Sequence, residues 1–167
     1  NDTTPEYTFF STLPGQIIYS GDCSSSDTSA DADNNTITFN ALSEGPHTNC
    51  KISVTSSGNL TSDNLSVDNF TIDTTAPSLA ATTLVPSLTN DNTPNYTFSS
   101  NEAGTITYGV NCSSSTTSAT ADNNTITFNE LADGTHNNCI ITVTDSTGNT
   151  SNNLEVSSFK IDTTAPT

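Results

Sequence analysis

Residues Asn34–Val54 read NNTITFNALSEGPHTNCKISV, and residues Asn123–Val143 read NNTITFNELADGTHNNCIITV. Fourteen of the 21 positions are identical at a fixed offset of 89. The same offset carries Pro5 to Pro94, Tyr7 to Tyr96, Gly15 to Gly104, Cys23 to Cys112 and Cys50 to Cys139. It also lays Asp73-Thr-Thr-Ala-Pro77 onto Asp162-Thr-Thr-Ala-Pro166. Chance does not produce such a match. The 167 residues are two copies of one unit, at 1–77 and 78–167, each the size of a small independent domain.

Within the repeat, apolar and hydroxyl residues alternate. Ile37-Thr-Phe39, Tyr7-Thr-Phe9, Ile106-Thr-Tyr108, Ile141-Thr-Val143 and Leu154-Glu-Val156 each put apolar groups on one face, the period of a half-buried strand. No stripe of apolar residues at helical spacing competes. Turn signals separate the runs: Leu13-Pro-Gly15, Glu44-Gly-Pro46, Asp133-Gly134, Ser57-Gly-Asn59 and Thr147-Gly-Asn149. The second copy then predicts strands A (79–88), B (94–100), C (104–110), a Ser/Thr-rich D region (113–121), E (124–129), F (138–145) and G (153–162). Val67 to Phe70 and Val156 to Phe159 break the alternation by one residue, which predicts a bulge in strand G of both copies. Seven short strands at this spacing predict an all-β chain of two tandem immunoglobulin-like sandwiches.

That topology places the end of strand C beside the start of strand F. It therefore predicts one disulfide per copy, Cys23–Cys50 and Cys112–Cys139, which uses every cysteine. A zinc site is the competing reading, but there is no CxxC pair and each copy has only two cysteines. Closing such a loop stabilises by roughly 3 kcal/mol in the chain-entropy treatment, and implies an oxidising, extracytoplasmic setting.

Composition narrows the function classes. Ser, Thr and Asn make up 78 residues; 18 acids face two lysines and no arginine, for a net charge of −16. Phosphate backbones would repel this surface, which excludes nucleic acid, and the same deficit excludes polybasic attachment to anionic lipid. No apolar run reaches the ~20 residues of a membrane-spanning helix. No signal-peptide pattern opens the chain, so any export signal is expected to have been removed or to lie outside it. Low hydrophobicity with high charge resembles disorder. The repeat answers that, because the charge divides −9 and −7 between two patterned copies.

The copies differ in phase. Ser78–Leu88, SLAATTLVPSL, precedes the NDNTP of the second copy, while the first begins directly at NDTTP. Two expectations stay open. Either the chain is cut from a longer array, or the first strand of copy one comes from a neighbouring subunit by β-strand addition.

Leu42, Gly45, His47, Cys50 and Val54-Thr55, followed by Gly58-Asn59 and Phe70…Ile72-Asp-Thr-Thr-Ala-Pro77, resemble the bacterial immunoglobulin-like repeats of secreted adhesins and surface fibre proteins. The likeness covers the whole chain twice, with Asp145–Asn149 as the family's D-x-x-G-N turn. It implies rigid spacer rods, sometimes with calcium at the domain joints, and some members that bind ligands. Repeats of this kind usually carry Tyr at the E–F corner, where this chain has His47 and His136.

Four acidic positions recur in both copies: Asp2/Asp91, Asp33/Asp122, Glu44/Asp133 and Asp73/Asp162. The expected topology sends Asp2, Glu44 and Asp73 to one pole of copy one, and Glu102, Asp122 and Asp145 to the facing pole of copy two. Carboxylate oxygens suit a hard cation, so calcium is the expected ligand; the same residues also make turns and coat soluble surfaces. Asp31-Ala-Asp33-Asn-Asn35 is not an EF-hand, since Thr36 stands where Gly is required and Leu42 where Glu is. An isopeptide bond is not expected, because Lys51 and Lys160 have no counterparts across the repeat. Sequons at Asn1, Asn34, Asn59, Asn64, Asn69, Asn95, Asn111, Asn123 and Asn149 are candidate glycosylation sites on an exported chain. His47 and His136 occupy one repeated position, a structural rather than catalytic pattern, so no enzyme activity is expected.

The expected function is a structural repeat module of an extracellular surface fibre, filament or adhesin stalk, partnered head to tail by neighbouring repeats or subunits. The rival is a glycan- or receptor-binding module. The absence of Trp and the strand positions of the tyrosines favour the scaffold.

Overall fold

The alternating segments become short strands, and no helix occurs among the described residues. The computed structural model describes residues 1–166, with the backbone alone at Val110, and divides into two compact units, Asn1–Thr74 and Thr75–Thr167. The division falls inside the DTTAP joint rather than after Pro77.

Unit 1 holds β1 (Glu6–Phe10), β2 (Gly15–Ser20), β3 (Ser29–Ala30), β4 (Asn34–Thr38), β5 (Gly45–His47), β6 (Lys51–Ser56), β7 (Leu65–Ser66) and β8 (Phe70–Ile72). Unit 2 begins with β9 (Leu79–Thr83) and β10 (Leu88–Thr89). It then repeats the series as β11 (Asn95–Ser100), β12 (Gly104–Val110), β13 (Ser118–Ala119), β14 (Asn123–Thr127), β15 (Gly134–His136), β16 (Cys139–Thr144), β17 (Leu154–Glu155) and β18 (Phe159–Ile161). In unit 2 one layer runs β14-β11-β9, and the other is built of β13-β12-β16-β17 and β10-β18-β15. Unit 1 keeps β3-β2-β6-β7, β5-β8 and β1-β4. The fold is the all-β immunoglobulin-like sandwich that the strand spacing predicts.

Two predicted strands, A and G, are in fact pairs of strands, and one strand ahead of F is unexpected. Strand F is β16, as expected; ahead of it, across Asn138 in the left-handed region (φ 60°), β15 is unexpected. Strand G is β17 and β18, and the residues between them are a switch rather than a one-residue bulge: β17 pairs with β16, β18 with β15. Strand A serves both layers. Its first half, β9, runs antiparallel to β11, and its second half, β10, runs parallel to β18. Val85-Pro86 lies at the crossing, where a missing amide costs no ladder bond.

Each core is organised on a row of stacked rings. Tyr96, Phe128, Phe159 and His136 follow one another at centroid distances of 6.3, 6.3 and 5.3 Å, and Tyr7, Phe39, Phe70 and His47 repeat the row at 6.2, 6.3 and 5.3 Å. Each pair is worth about 0.5–1.5 kcal/mol beyond its area. Ile106, Ile126, Ile141, Val143 and Ile161 fill the space around the row in unit 2. Gly15 and Gly104 are repeated for one reason: a Cβ at Gly104 would run into the Thr144 carbonyl oxygen across the ladder, and one at Gly15 into that of Thr55.

The outward faces explain the threonine content. Thr8–Thr36, Thr97–Thr125, Thr55–Thr61 and Thr144–Thr150 join Oγ1 to Oγ1 across neighbouring strands, each at 2.9 Å. β-Branched residues favour the strand, and their hydroxyls pair across it.

Candidate functional site

The cysteines are closed as Cys23–Cys50 and Cys112–Cys139, with Cα separations of 5.2 and 5.5 Å. Each bridge ties the segment just past β2 or β12 to the start of β6 or β16 in the same layer. The usual immunoglobulin bridge instead crosses between layers.

His47 and His136 do the work of the missing corner tyrosine. The Nε2–H of His47 donates to the Ser43 carbonyl at 2.9 Å, and that of His136 to the Ala132 carbonyl at 2.9 Å. A corner tyrosine likewise bonds back to the backbone a few residues upstream. Both rings also end the aromatic rows.

The acidic positions have local duties. Asp2 Oδ1 accepts from the amide and hydroxyl of Thr4, and Glu44 Oε2 accepts from the Thr74 hydroxyl. Asp73, half-buried, also belongs to unit 1. In unit 2, Asp122 accepts from the Asn123 amide and Glu102 from the Asn101 side chain. Asp133, the counterpart of Glu44, accepts from Thr163 and Thr164, and the Thr163 hydroxyl and amide hold its carboxyl below the usual range.

Asp145 is the most engaged. Its Oδ1 accepts from the Thr147 amide and hydroxyl (both 2.8 Å) and the Asn149 amide (2.9 Å), and its Oδ2 from Asn149 Nδ2 (2.8 Å). Partial desolvation pushes its pKa up, but the bonds from Asn149 and Thr147 outweigh it and hold the carboxyl at about 2. The two Gly-Asn dipeptides are not equivalent. Asn59 (φ 57°) stands where Gly148 (φ 91°) does, and exposed Leu60 stands where Asn149 does. Only unit 2 builds the carboxylate-centred turn.

This bears on glycosylation. Asn34, Asn59, Asn64, Asn69, Asn95 and Asn123 are exposed. Asn149 differs: it is 8% exposed and its Nδ2 is bonded to Asp145 and to Thr147 Oγ1. A glycan there would replace the bonds that hold the turn.

Within the described residues, unit 1 pairs fewer strands than unit 2. β1 pairs with β4 alone, whereas β11 pairs with β14 and β9; β8 pairs with β5 alone, whereas β18 pairs with β15 and β10. A cleft of about 490 Å³ opens between Pro5, Tyr7, Phe39, Val67, Phe70 and Ile72. A second, of about 170 Å³, opens between Phe9, Phe10, Ile52, Val54 and Leu65. Tyr7, Val54 and Phe70 are half-buried, while their counterparts Tyr96, Val143 and Phe159 are 0, 0 and 2% exposed.

Residues 78–163, over half the chain, match the bacterial Ig-like domain family. The chain belongs to that family. The match covers one bacterial Ig-like domain in unit 2, and the 89-residue repeat extends it to unit 1. No curated protein matches. A solved structure from Bacteroides ovatus, the mixed-linkage glucan utilization locus protein SGBP-B in complex with a mixed-linkage heptasaccharide, is similar at 15% identity and a TM-score of 0.24. The similarity covers 94% of this chain and 41% of that one.

Proposed function

We propose that the chain is a non-catalytic, load-bearing spacer of an extracellular bacterial surface protein. The observation that carries this reading is one bacterial Ig-like sandwich repeated along the chain, each copy closed by its own disulfide from strand C to strand F. Such bridges belong to oxidising compartments. They also shorten the length that a unit releases when pulled open. Both histidines are used inside the fold, in a backbone bond and a ring stack, which supports the absence of a catalytic role.

Single-molecule pulling tests the reading. Each bridge closes residues 27 apart in sequence, so reduction should lengthen the extension released per unit by about 9 nm. Unfolding at forces too low to resolve would remove the spacer role. Binding of the intact chain on a glycan array would move the assignment to a ligand-binding module.

Calcium is the ion proposed for Asp2, Glu44, Asp73, Glu102, Asp122 and Asp145. Oxygen-only donors suit it, although at Asp145 it would compete with four N–H and O–H donors. A thermal midpoint raised by calcium and lowered by EDTA supports this; an unchanged midpoint removes it.

A further inference from the structure

The structure assigns Cys112 Sγ as a thiol-exchange site, the one sulfur of the two bridges that a small thiol attacks in the folded chain. The bridges join equivalent positions but are not equally covered. Cys23 and Cys50 are 3% and 2% exposed, and both belong to the core of unit 1. Cys139, the first residue of β16, is likewise 2% exposed. Cys112 is half-buried, at the margin of the core of unit 2, in the segment that leaves β12. Disulfides open when a thiolate reaches one of their sulfurs, so access selects Cys112.

Charge favours the same sulfur, because the attacking species is an anion. Asp22 precedes Cys23, and Asp27 and Asp31 follow it; the repeat has Asn111, Thr116 and Thr120 at those positions. Asp22 is held beside the first bridge, its amide donating to Asn49 Oδ1 at 3.0 Å and its Oδ1 accepting from Asn49 Nδ2 at 3.3 Å. In unit 2 the neutral Asn111 Nδ2 donates instead to the Asn137 carbonyl at 3.2 Å. No charged residue occurs from Ala103 to Ala121, nor, His136 apart, from Gly134 to Thr144. Lys51, next to Cys50, offsets part of the negative field in unit 1, which leaves access as the larger effect.

The step balances simply. A thiolate forms a bond to Cys112 Sγ, the bond to Cys139 breaks, and its electron pair leaves on Cys139 Sγ, which takes a proton from water. With a small dithiol, the second thiol attacks the external sulfur of the mixed disulfide. The dithiol is oxidised to its cyclic disulfide, and the Cys112–Cys139 bridge is reduced to two thiols.

The test exposes the intact 167-residue chain to 2-mercaptoethanol at pH 8 under native conditions, quenches with acid, alkylates free thiols and maps the peptides by mass. The adduct should sit on Cys112 at least tenfold more often than on Cys139, and the second bridge should open at least tenfold faster than the first. N111D, which copies the residue of the first repeat, adds a carboxylate beside Cys112. It should slow opening by anionic 2-mercaptoethanesulfonate by about two- to threefold and not slow opening by cationic cysteamine. Adducts shared equally or found on Cys139, bridges that open together, or an N111D effect blind to the charge of the thiol would each overturn the proposal. None of these readouts uses force, so failure here leaves the spacer reading standing.

Discussion

Asp145 shows what one residue can organise. Because four donors hold its folded pKa at about 2, below its ordinary value, the stability that those bonds contribute is present above pH ~4. It is lost as pH falls through about 2. The amide resonances of Thr147 and Asn149 should therefore titrate together with a midpoint near pH 2; a midpoint near 4 would mean that the turn is not held as described. Tyr96 is the opposite case. Its ring is fully buried and its hydroxyl has no hydrogen-bond partner among the described residues. An unpartnered buried hydroxyl costs free energy. Y96F should thus leave stability unchanged or raise it by up to about 1 kcal/mol in chemical denaturation, although it alters one of the largest core side chains.

At the scale of elements, the close approach of β12 to β16 depends on Gly104. G104A drives a methyl into the Thr144 carbonyl, and should cost roughly 1–3 kcal/mol by parting the two central strands. Urea denaturation reads this directly. Most strands are legible in the amino-acid pattern, because Ile37-Thr-Phe39 and its repeats alternate without ambiguity and the cysteines fix which ends meet. The halving of strands A and G, and the extra strand β15, are not. A strand that changes layer keeps its apolar alternation on both sides of the switch, so the pattern shows at most a slip, as at Val67–Phe70. The position of the histidine corner is legible, but its hydrogen bond is not, since it runs to a backbone carbonyl that any residue could supply. The burial of Asn149 escapes for a similar reason: a sequon reports residue type, and only the Asp145 carboxylate makes that amide a structural group.

At the scale of the whole molecule, both units carry charge of one sign, −9 and −7. The threonine pairs on the outer faces also bear on conditions. They join strands through neutral hydroxyls, and with only two lysines and no arginine the chain has few cations to pair; one of them, Lys160, meets Asp162 at 3.3 Å on the surface. Ionic strength therefore finds little attraction to screen, while the mutual repulsion of a −16 chain weakens as the Debye length shrinks. The thermal midpoint should rise between 10 and about 200 mM sodium chloride, where a fold laced by surface ion pairs would fall. A module stitched in this way suits surroundings whose salinity changes: brine should tighten it.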